Sequence, residues 1–369
     1  MTTRTQTGGV SNHTVGVMAG GYTSSESDII ESCTIPALGN FTDFGDLTAA
    51  HQHPGGSCNL TRGVFMGGAN PSVTNNIDLI SFSTRGNATD FGDLTANSSQ
   101  GSGSSNGHGG LDEFQPRAPE LYSPTGKVVP RGSGVGDIGI SGGGWNGSSY
   151  ETSIDFVQIS TTGNAQDFGD LSYGRQNIGG MASTTRHIHI NGSAPSNVSD
   201  LDYLEFSTKG NSADFGDLQT YRRGDVSTSN STRGLVGGGY NGSTRINTTD
   251  YFTIATIGNG TDFGDTANTY TDQCSVSSTT RALFAGGRDQ SNGYNNQIEY
   301  FTISSTGNGT DFGDLTVSRW PAGGNTGSNT RACFAGGNIS GSQSNVIDYV
   351  TIASTGNATD FGDLTQARS

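Results

Sequence analysis

The stretch Gly86-Asn-Ala-Thr-Asp-Phe-Gly-Asp-Leu-Thr95 returns unchanged at residues 356–365. Its centre, Asp-Phe-Gly-Asp, occurs seven times, beginning at Asp43, Asp90, Asp167, Asp214, Asp262, Asp311 and Asp360. Successive copies begin 47–49 residues apart, except for one interval of 77 residues between the second and the third. A fixed period of this size is typical of repeat architectures. The chain therefore consists of seven structural units and one insertion.

Each copy is preceded by a Gly-Asn pair, so the full unit reads Gly-Asn-x-x-Asp-Phe-Gly-Asp. Gly and Asn tolerate positive φ, and Asp side chains cap turns, so the unit is interpreted as two turns around one buried aromatic ring. We expect the phenylalanines of the seven copies to anchor the core: Phe44, Phe91, Phe168, Phe215, Phe263, Phe312 and Phe361.

Three further landmarks recur upstream of this motif. The first is a small-residue doublet after an apolar run: Gly20-Gly21, Gly67-Gly68, Gly142-Gly143, Asn191-Gly192, Gly237-Gly238, Gly286-Gly287 and Gly336-Gly337. The second is an acidic residue near the start of an aromatic and β-branched strand: Glu31, Asp78, Asp155, Asp202, Asp250, Glu299 and Asp348. The third is an arginine after Thr: Arg62, Arg186, Arg233, Arg281 and Arg331. We expect the acids and arginines to form repeated ion pairs and hydrogen bonds, with a charged ring facing a ligand as the alternative.

These landmarks predict an all-β protein. Each unit holds about four short strands bounded by turn residues, and no segment has the periodicity of a helix. Four-stranded sheets of this kind bury their faces when packed radially, which predicts a single seven-bladed β-propeller whose two termini close the ring. The expected blades are residues 1–48, 49–95, 133–172, 173–219, 220–267, 268–316 and 317–369.

The order of the landmarks is similar to the kelch motif, in which an apolar strand, Gly-Gly, an acidic-Tyr strand and a late aromatic residue follow one another. This chain has Phe where kelch units usually have Trp, and its fourth unit has Asn191-Gly192 in place of Gly-Gly. The string at residues 86–95 and 356–365 also resembles repeats in proteins of marine bacteriophages. The first resemblance implies the propeller fold, and the second implies a role in the virion or in host attachment.

Charge and composition exclude several classes of function. The net charge is −15, and an acidic surface repels a phosphate backbone, so no nucleic-acid partner is expected. No segment has the apolar length of a signal peptide core or a membrane helix, so neither insertion into a membrane nor export by a cleaved signal is expected. The expected location is a virion or the extracellular space.

The insertion, predicted at residues 97–132 between blades two and three, is the candidate interaction loop. It begins with a Gly/Ser run and holds four of the nine prolines. Long loops on rigid scaffolds often carry function. We expect its apolar and charged side chains to contact a partner or a neighbouring subunit, the alternative being a loop that packs on its own propeller; the candidates are Glu113, Phe114, Arg117, Leu121 and Tyr122.

The chain contains no nucleophile elbow, metalloprotease motif or phosphate-binding loop, so no catalytic residue is assigned. Two His-x-His pairs, His51/His53 and His187/His189, would each point to one face of a strand, but polar variation explains them better than a metal site. No cofactor is expected, with calcium at the paired aspartates of the repeat as the alternative.

The sequence therefore predicts a non-catalytic interaction or structural module, placed on a phage particle for assembly or host attachment. Its partners would be other virion proteins or a host surface glycan, and a homo-oligomer stays open. The first alternative is a lectin propeller unrelated to virions, and the second is a copper oxidase with kelch-like repeats.

Overall fold

The computed structural model describes residues 6–12, 14–22, 25–37, 39–105, 137–193, 198–320 and 326–368. Within these residues all regular structure is β, with no helix. The strands form seven antiparallel sheets, each built from four strands, and the sheets are the blades of a propeller. The all-β, seven-bladed prediction is confirmed.

The four strands of each blade run outward from the ring centre in chain order. The inner strands are Gly8–Ser11, Gly55–Cys58, Ser102–Ser105, Gly179–Ala182, Val226–Ser229, Cys274–Ser277 and Thr326–Gly327. The second strands are Val15–Ala19, Arg62–Met66, Ile138–Gly142, Arg186–Ile190, Arg233–Gly237, Arg281–Ala285 and Arg331–Ala335. The third strands are Ile29–Thr34, Asn76–Ser81, Ser153–Gln158, Asp200–Glu205, Thr248–Thr253, Gln297–Thr302 and Ser342–Thr351. The outer strands are Thr42–Asp46, Thr84–Asp93, Gln166–Asp170, Ala213–Asp217, Thr261–Asp265, Thr310–Asp314 and Thr359–Arg368.

Two short additions extend this frame. Ala69–Asn70 pairs with Ser72–Val73 in a hairpin of blade two, and Asn338–Ile339 pairs with the long third strand of blade seven. Among the described residues no helix is long and apolar enough to cross a bilayer.

The insertion lies inside blade three. Ser102–Ser105 pairs with Ile138–Gly142 in an antiparallel ladder, so the blade begins before the extra segment and resumes after it. The prediction that residues 97–132 separate blades two and three was therefore wrong, because the Gly/Ser run that looked like a linker supplies the inner strand. Residues 106–136 connect the first two strands of the blade.

The small-residue doublets end the second strands with two residues of positive φ. In blades three and five these residues are Gly143-Gly144 (φ 65° and 113°) and Gly238-Gly239 (φ 61° and 100°), one position later than the sequence pattern placed them. The error arises because Gly142 and Gly237 are the last strand residues, and glycine there looks the same in sequence as glycine in the turn.

The Asp-Phe-Gly-Asp motif joins neighbouring blades. All seven of its phenylalanines are at most 4% exposed. The Phe263 ring, for example, contacts the rings of Tyr251 in its own blade and Phe301 in the next blade edge-to-face, with 5.7 Å between the ring centres in both pairs. Its backbone oxygen accepts a hydrogen bond from Gly307 N–H of that next blade, and Asp265 N–H donates to Asn308 Oδ1 at 3.1 Å.

We call this arrangement of Phe oxygen, Asp N–H and the following Gly-Asn turn the clasp. Its Asp-to-Asn hydrogen bond is present at every blade boundary: Asp46 to Asn87, Asp93 to Asn164, Asp170 to Asn211, Asp217 to Asn259, Asp265 to Asn308, Asp314 to Asn357 and Asp363 to Asn40. The last pair joins blade seven to blade one. The same elements that separate the repeats in sequence thus hold the ring closed.

The recurring arginines also link neighbouring blades, but they do not pair with the recurring acids. Arg233 stacks on Tyr251 at 4.4 Å and donates from Nη1 to Ile303 O of the next blade at 2.8 Å. Arg281 does the same with Tyr300 and Ile352 O. The expected pairing of acids with these arginines was therefore wrong, because the strand geometry places them beside a ring and a carbonyl group.

The recurring acids accept hydrogen bonds from a residue shortly after the outer strand of the preceding blade. Thr48 donates to Asp78 from its N–H at 3.0 Å and from its hydroxyl at 2.6 Å. Among the side chains that the structure describes, a second group of arginines joins this contact, in pairs that the repeat motif did not reveal: Arg175 with Asp202, Arg222 with Asp250, and Arg319 with Asp348.

Candidate functional site

The two faces of the ring differ in the connections they carry. The crossover face holds the connections between blades and the loops between second and third strands. The insertion face holds the other turns, including Ser105 and Asp137, where residues 106–136 leave blade three and return to it. Glu113, Phe114, Arg117, Leu121 and Tyr122 all lie outside the described residues.

A cavity with polar walls lies on the crossover face and spans blades four to six. Its volume is about 750 Å³, within the range of about 300–1,000 Å³ that is usual for small-molecule sites. We call it the arginine cavity. It is lined by Asn177, Ile178, Gly179, Ser193, Arg223, Gly224, Asp225, Tyr240, Arg245, Thr271, Asp272 and Arg288.

Short backbone bridges hold the walls of the arginine cavity. Arg223, which follows an outer strand, pairs with Tyr240, which follows the glycine doublet of the next blade. Thr271 and Arg288 repeat this bridge one blade further on. Because the bridging positions are fixed by backbone hydrogen bonds, their side chains are free to differ between blades, and in this cavity they include two arginines and a tyrosine.

The residue two positions before an inner strand also belongs to this face, and at the six such positions that the structure describes it adopts positive φ. Asn177 has φ 53° and Asp272 has φ 57°. Non-glycine residues in this conformation are uncommon and concentrate at binding sites. Hydrogen bonds between neighbouring blades support them, as when Asp272 N–H donates to Gly224 O at 2.8 Å.

The three cavity arginines have different partners. Arg288 binds Asp272 through Nε and Nη2, the shorter distance being 2.6 Å, and it stacks on Trp320 at 4.2 Å. Arg245 donates to two neutral groups, Thr271 Oγ1 at 3.0 Å and Asn292 Oδ1 at 2.7 Å.

Arg223 is exposed, and its guanidinium lies 5.3 Å from the ring centre of Tyr240. Neither Arg223 nor Arg245 forms an ion pair with any residue that the structure describes.

Asp225 is the second carboxyl group of the arginine cavity. Burial raises the pKa of Asp225 to about 6, while the nearby Arg222 opposes this rise. Asn191, the residue that replaces glycine in the fourth doublet, donates from Nδ2 to Asp225 Oδ1 at 3.3 Å and to the Arg222 backbone oxygen. The departure of blade four from the Gly-Gly pattern therefore supports one wall of the cavity.

The His187/His189 pair is buried between blades three and four. His187 Nδ1 lies 2.5 Å from Ser104 Oγ, and its Nε2 lies 3.1 Å from His189 Nδ1. Other second strands have Gly or Ala at the position of His187, and blade three compensates with the small residues Ser104 and Gly142. Burial lowers the pKa of His187 to about 3, so the ring is neutral. This pair fills space in the core.

A second cavity of about 320 Å³ lies along the ring axis, between the inner strands. Several of its serine hydroxyls bind neighbouring blades: Ser57 donates to Ser104 O at 2.6 Å and Ser275 donates to Ser227 O at 2.8 Å. These hydrogen bonds stabilise the packing of the inner strands. Over the part of the chain that the structure describes, no group of three or more His, Cys, Asp or Glu side chains is placed to hold a metal ion.

The recurring buried acid of blade six, Glu299, has a raised pKa whose effect on stability can be measured. Glu299 is 1% exposed and accepts hydrogen bonds from Ala267 N–H, but Tyr270 occupies the place that Arg175, Arg222 and Arg319 take in their repeats. Burial raises the pKa of Glu299 to about 7 from 4.5. Between these pH values the folded protein binds more protons at this site than the unfolded chain, so its contribution to stability falls as pH rises.

We therefore expect Glu299→Gln to change the pH dependence of stability. Going from pH 5 to pH 8, the wild type should lose roughly 2–3 kcal/mol of unfolding free energy relative to the variant, since one pKa unit corresponds to about 1.4 kcal/mol. Urea unfolding at several pH values measures this difference, and all other titrations cancel because both proteins share them. Parallel pH curves would show that Glu299 titrates normally.

The sequence did not identify the arginine cavity. Its residues lie directly after the glycine doublets and before the inner strands, at positions where the seven units differ. A repeat is recognised by the positions at which its units agree, so these residues do not stand out in the repeat pattern. An alignment of the seven units shows charged and aromatic residues at these variable positions, among them Arg223, Tyr240 and Arg288.

Comparisons with known proteins add no family to this description: no protein-family model matches the chain, and no curated protein is significantly similar to it.

Proposed function

We propose that this protein is a non-catalytic recognition module of a bacteriophage particle, and that it binds a carbohydrate of the host surface in the arginine cavity. The observation that carries the proposal is the cavity itself: about 750 Å³ of space on the crossover face, with side chains from three blades around it. Rigid propeller blades hold these side chains, and binding residues are typically carried on loops of such a scaffold.

The lining of the arginine cavity suits a sugar. Arginine, aspartate, asparagine and threonine side chains provide donors and acceptors for hydroxyl groups. Tyr240 adds an aromatic ring, and its hydroxyl donates to Gly242 O at 3.1 Å, which fixes the side chain. Few apolar side chains line the cavity, so an apolar ligand would leave these polar groups without partners.

The two faces of the ring support a module that joins two partners. The arginine cavity is on the crossover face, and the long connection of blade three leaves from the insertion face. We propose that residues 106–136, including the predicted contact residues Phe114, Leu121 and Tyr122, bind other virion proteins. A sugar bound on the opposite face would then not compete with assembly. The resemblance of the repeats to kelch units and to marine phage proteins supports this placement.

We expect the protein to bind at least one oligosaccharide on an array of bacterial surface glycans, and the double variant Tyr240→Ala/Arg245→Ala to bind it about tenfold or more weakly. Loss of a charge-assisted hydrogen bond and a stacking surface has this magnitude. Arg85→Ala is the matched control, because Arg85 is exposed on blade two, outside the cavity lining. Binding that is unchanged in the double variant, or no binding to any glycan, would contradict the proposal.

A further inference from the structure

The lining of the arginine cavity has a charge of opposite sign to the net charge of the chain. This lining includes three guanidinium groups and two carboxyl groups, although the protein has a net charge of −15. Acidic residues far outnumber arginines in the sequence, so the presence of three arginines in one cavity requires an explanation. Structural ion pairing accounts for only part of it.

Asp272 is already neutralised within the cavity. Its Oδ2 accepts two hydrogen bonds from Arg288, and this pair leaves no net charge on that wall. The remaining cations are Arg223 and Arg245, and the remaining acid is Asp225, which is held by Asn191 and lies near the buried Arg222. The net charge of the side chains that face a ligand is therefore positive.

Arg245 is positioned to receive an anion. Its Nε and Nη2 atoms are fixed by Thr271 and Asn292, so the side chain loses little further rotational freedom when a ligand binds. Both of these partners are neutral oxygens. Arg223 is held above the Tyr240 ring and has no carboxylate partner among the described residues. Two arginines that have no carboxylate partner within the described ranges thus border one cavity.

We propose that the sugar bound in the arginine cavity is an acidic one, whose carboxylate contacts Arg223 and Arg245 while its ring lies against Tyr240. This inference rests on the proposed function and adds the chemical class of the ligand. A guanidinium group presents parallel N–H donors that match a planar carboxylate, and such charge-assisted pairs are stronger than neutral hydrogen bonds. A large polyanion is disfavoured, because the net charge of −15 would repel it.

Galacturonate and galactose form a matched pair of probes, since they differ in a carboxylate at one carbon. We expect isothermal titration calorimetry of the full chain to give at least about tenfold tighter binding for galacturonate. Arg223→Gln/Arg245→Gln should remove this preference while keeping weak binding of both sugars. Arg85→Gln should retain the wild-type preference, and circular dichroism should show that all variants are folded.

The outcomes separate this inference from the proposed function. Equal affinity for the two sugars, with loss of both in Tyr240→Ala, would overturn the acidic class and leave carbohydrate binding in place. A preference for galacturonate that survives in Arg223→Gln/Arg245→Gln would overturn the assigned site. Binding of neither sugar, together with no binding to any surface glycan, would overturn the inference and the proposed function together.

Discussion

Gly313→Ala should destabilise the protein by about 3–5 kcal/mol, one of the largest effects expected from a single methyl group. Gly313 is the glycine of the sixth Asp-Phe-Gly-Asp motif and has φ 138°. A Cβ atom there would lie 2.5 Å from the backbone of Gly356 in blade seven, where no side chain can move aside. Backbone strain of about 1–3 kcal/mol and forced separation of the clasp, at about 1–3 kcal/mol for overpacking, act together.

Gly341→Ala is the matched control for this variant. Gly341 also has positive φ, at 86°, but no atom lies within 4 Å of the place where its Cβ would be. This control should therefore show the backbone strain without the clash, and lose about 1–2 kcal/mol. Chemical denaturation of both variants measures the two effects. Equal losses in the two variants would mean that the clasp tolerates an added side chain.

Arg319→Met should lower the unfolding free energy by about 3–5 kcal/mol, the usual cost of leaving a buried charge without its partner. Arg319 and Asp348 are both fully buried, with Nη2 and Oδ2 2.9 Å apart across the boundary between blades six and seven. Asp348 would retain its hydrogen bonds from Thr316 but would lose its counter-charge.

The double variant Arg319→Met/Asp348→Asn distinguishes charge from packing. The amide oxygen that replaces the carboxylate could still accept a hydrogen bond from Thr316, and no unpaired charge would remain. We expect the double variant to recover most of the stability lost in Arg319→Met, because replacing both members of a buried pair is often nearly neutral. If the double variant is as unstable as the single one, the arginine contributes through its size and its hydrogen bond to Phe334 O.

The repeated positions made the fold predictable from sequence. Seven copies of Asp-Phe-Gly-Asp, 47–49 residues apart except across the insertion, required seven equivalent environments, and a closed ring is one of the few arrangements that supplies them. The failures were local. Gly142 and Gly237 shifted two doublets by one residue, because a glycine at a strand end and one in a turn have the same letter but different φ.

The insertion and the candidate site were harder to predict for a different reason. Residues 102–105 read as a flexible linker because their strand is stabilised by its neighbours in the ring and not by its own β-propensity, which tertiary packing can override. The arginine cavity combines residues of three blades that are far apart in sequence. Only the curvature of the ring brings Arg223, Arg245 and Arg288 to one place.

The division between the clasp and the bridging positions has a consequence for inheritance. Because every unit carries the same clasp, a crossing-over between two copies of the repeat within the gene would yield blades that still join their neighbours. The residues after the glycine doublets would travel with the exchanged unit, so each such event could replace one wall of a cavity in a single step. Such a gene can change the ligand that its product binds faster than point substitution alone would allow. The contacts between neighbouring blades stay the same.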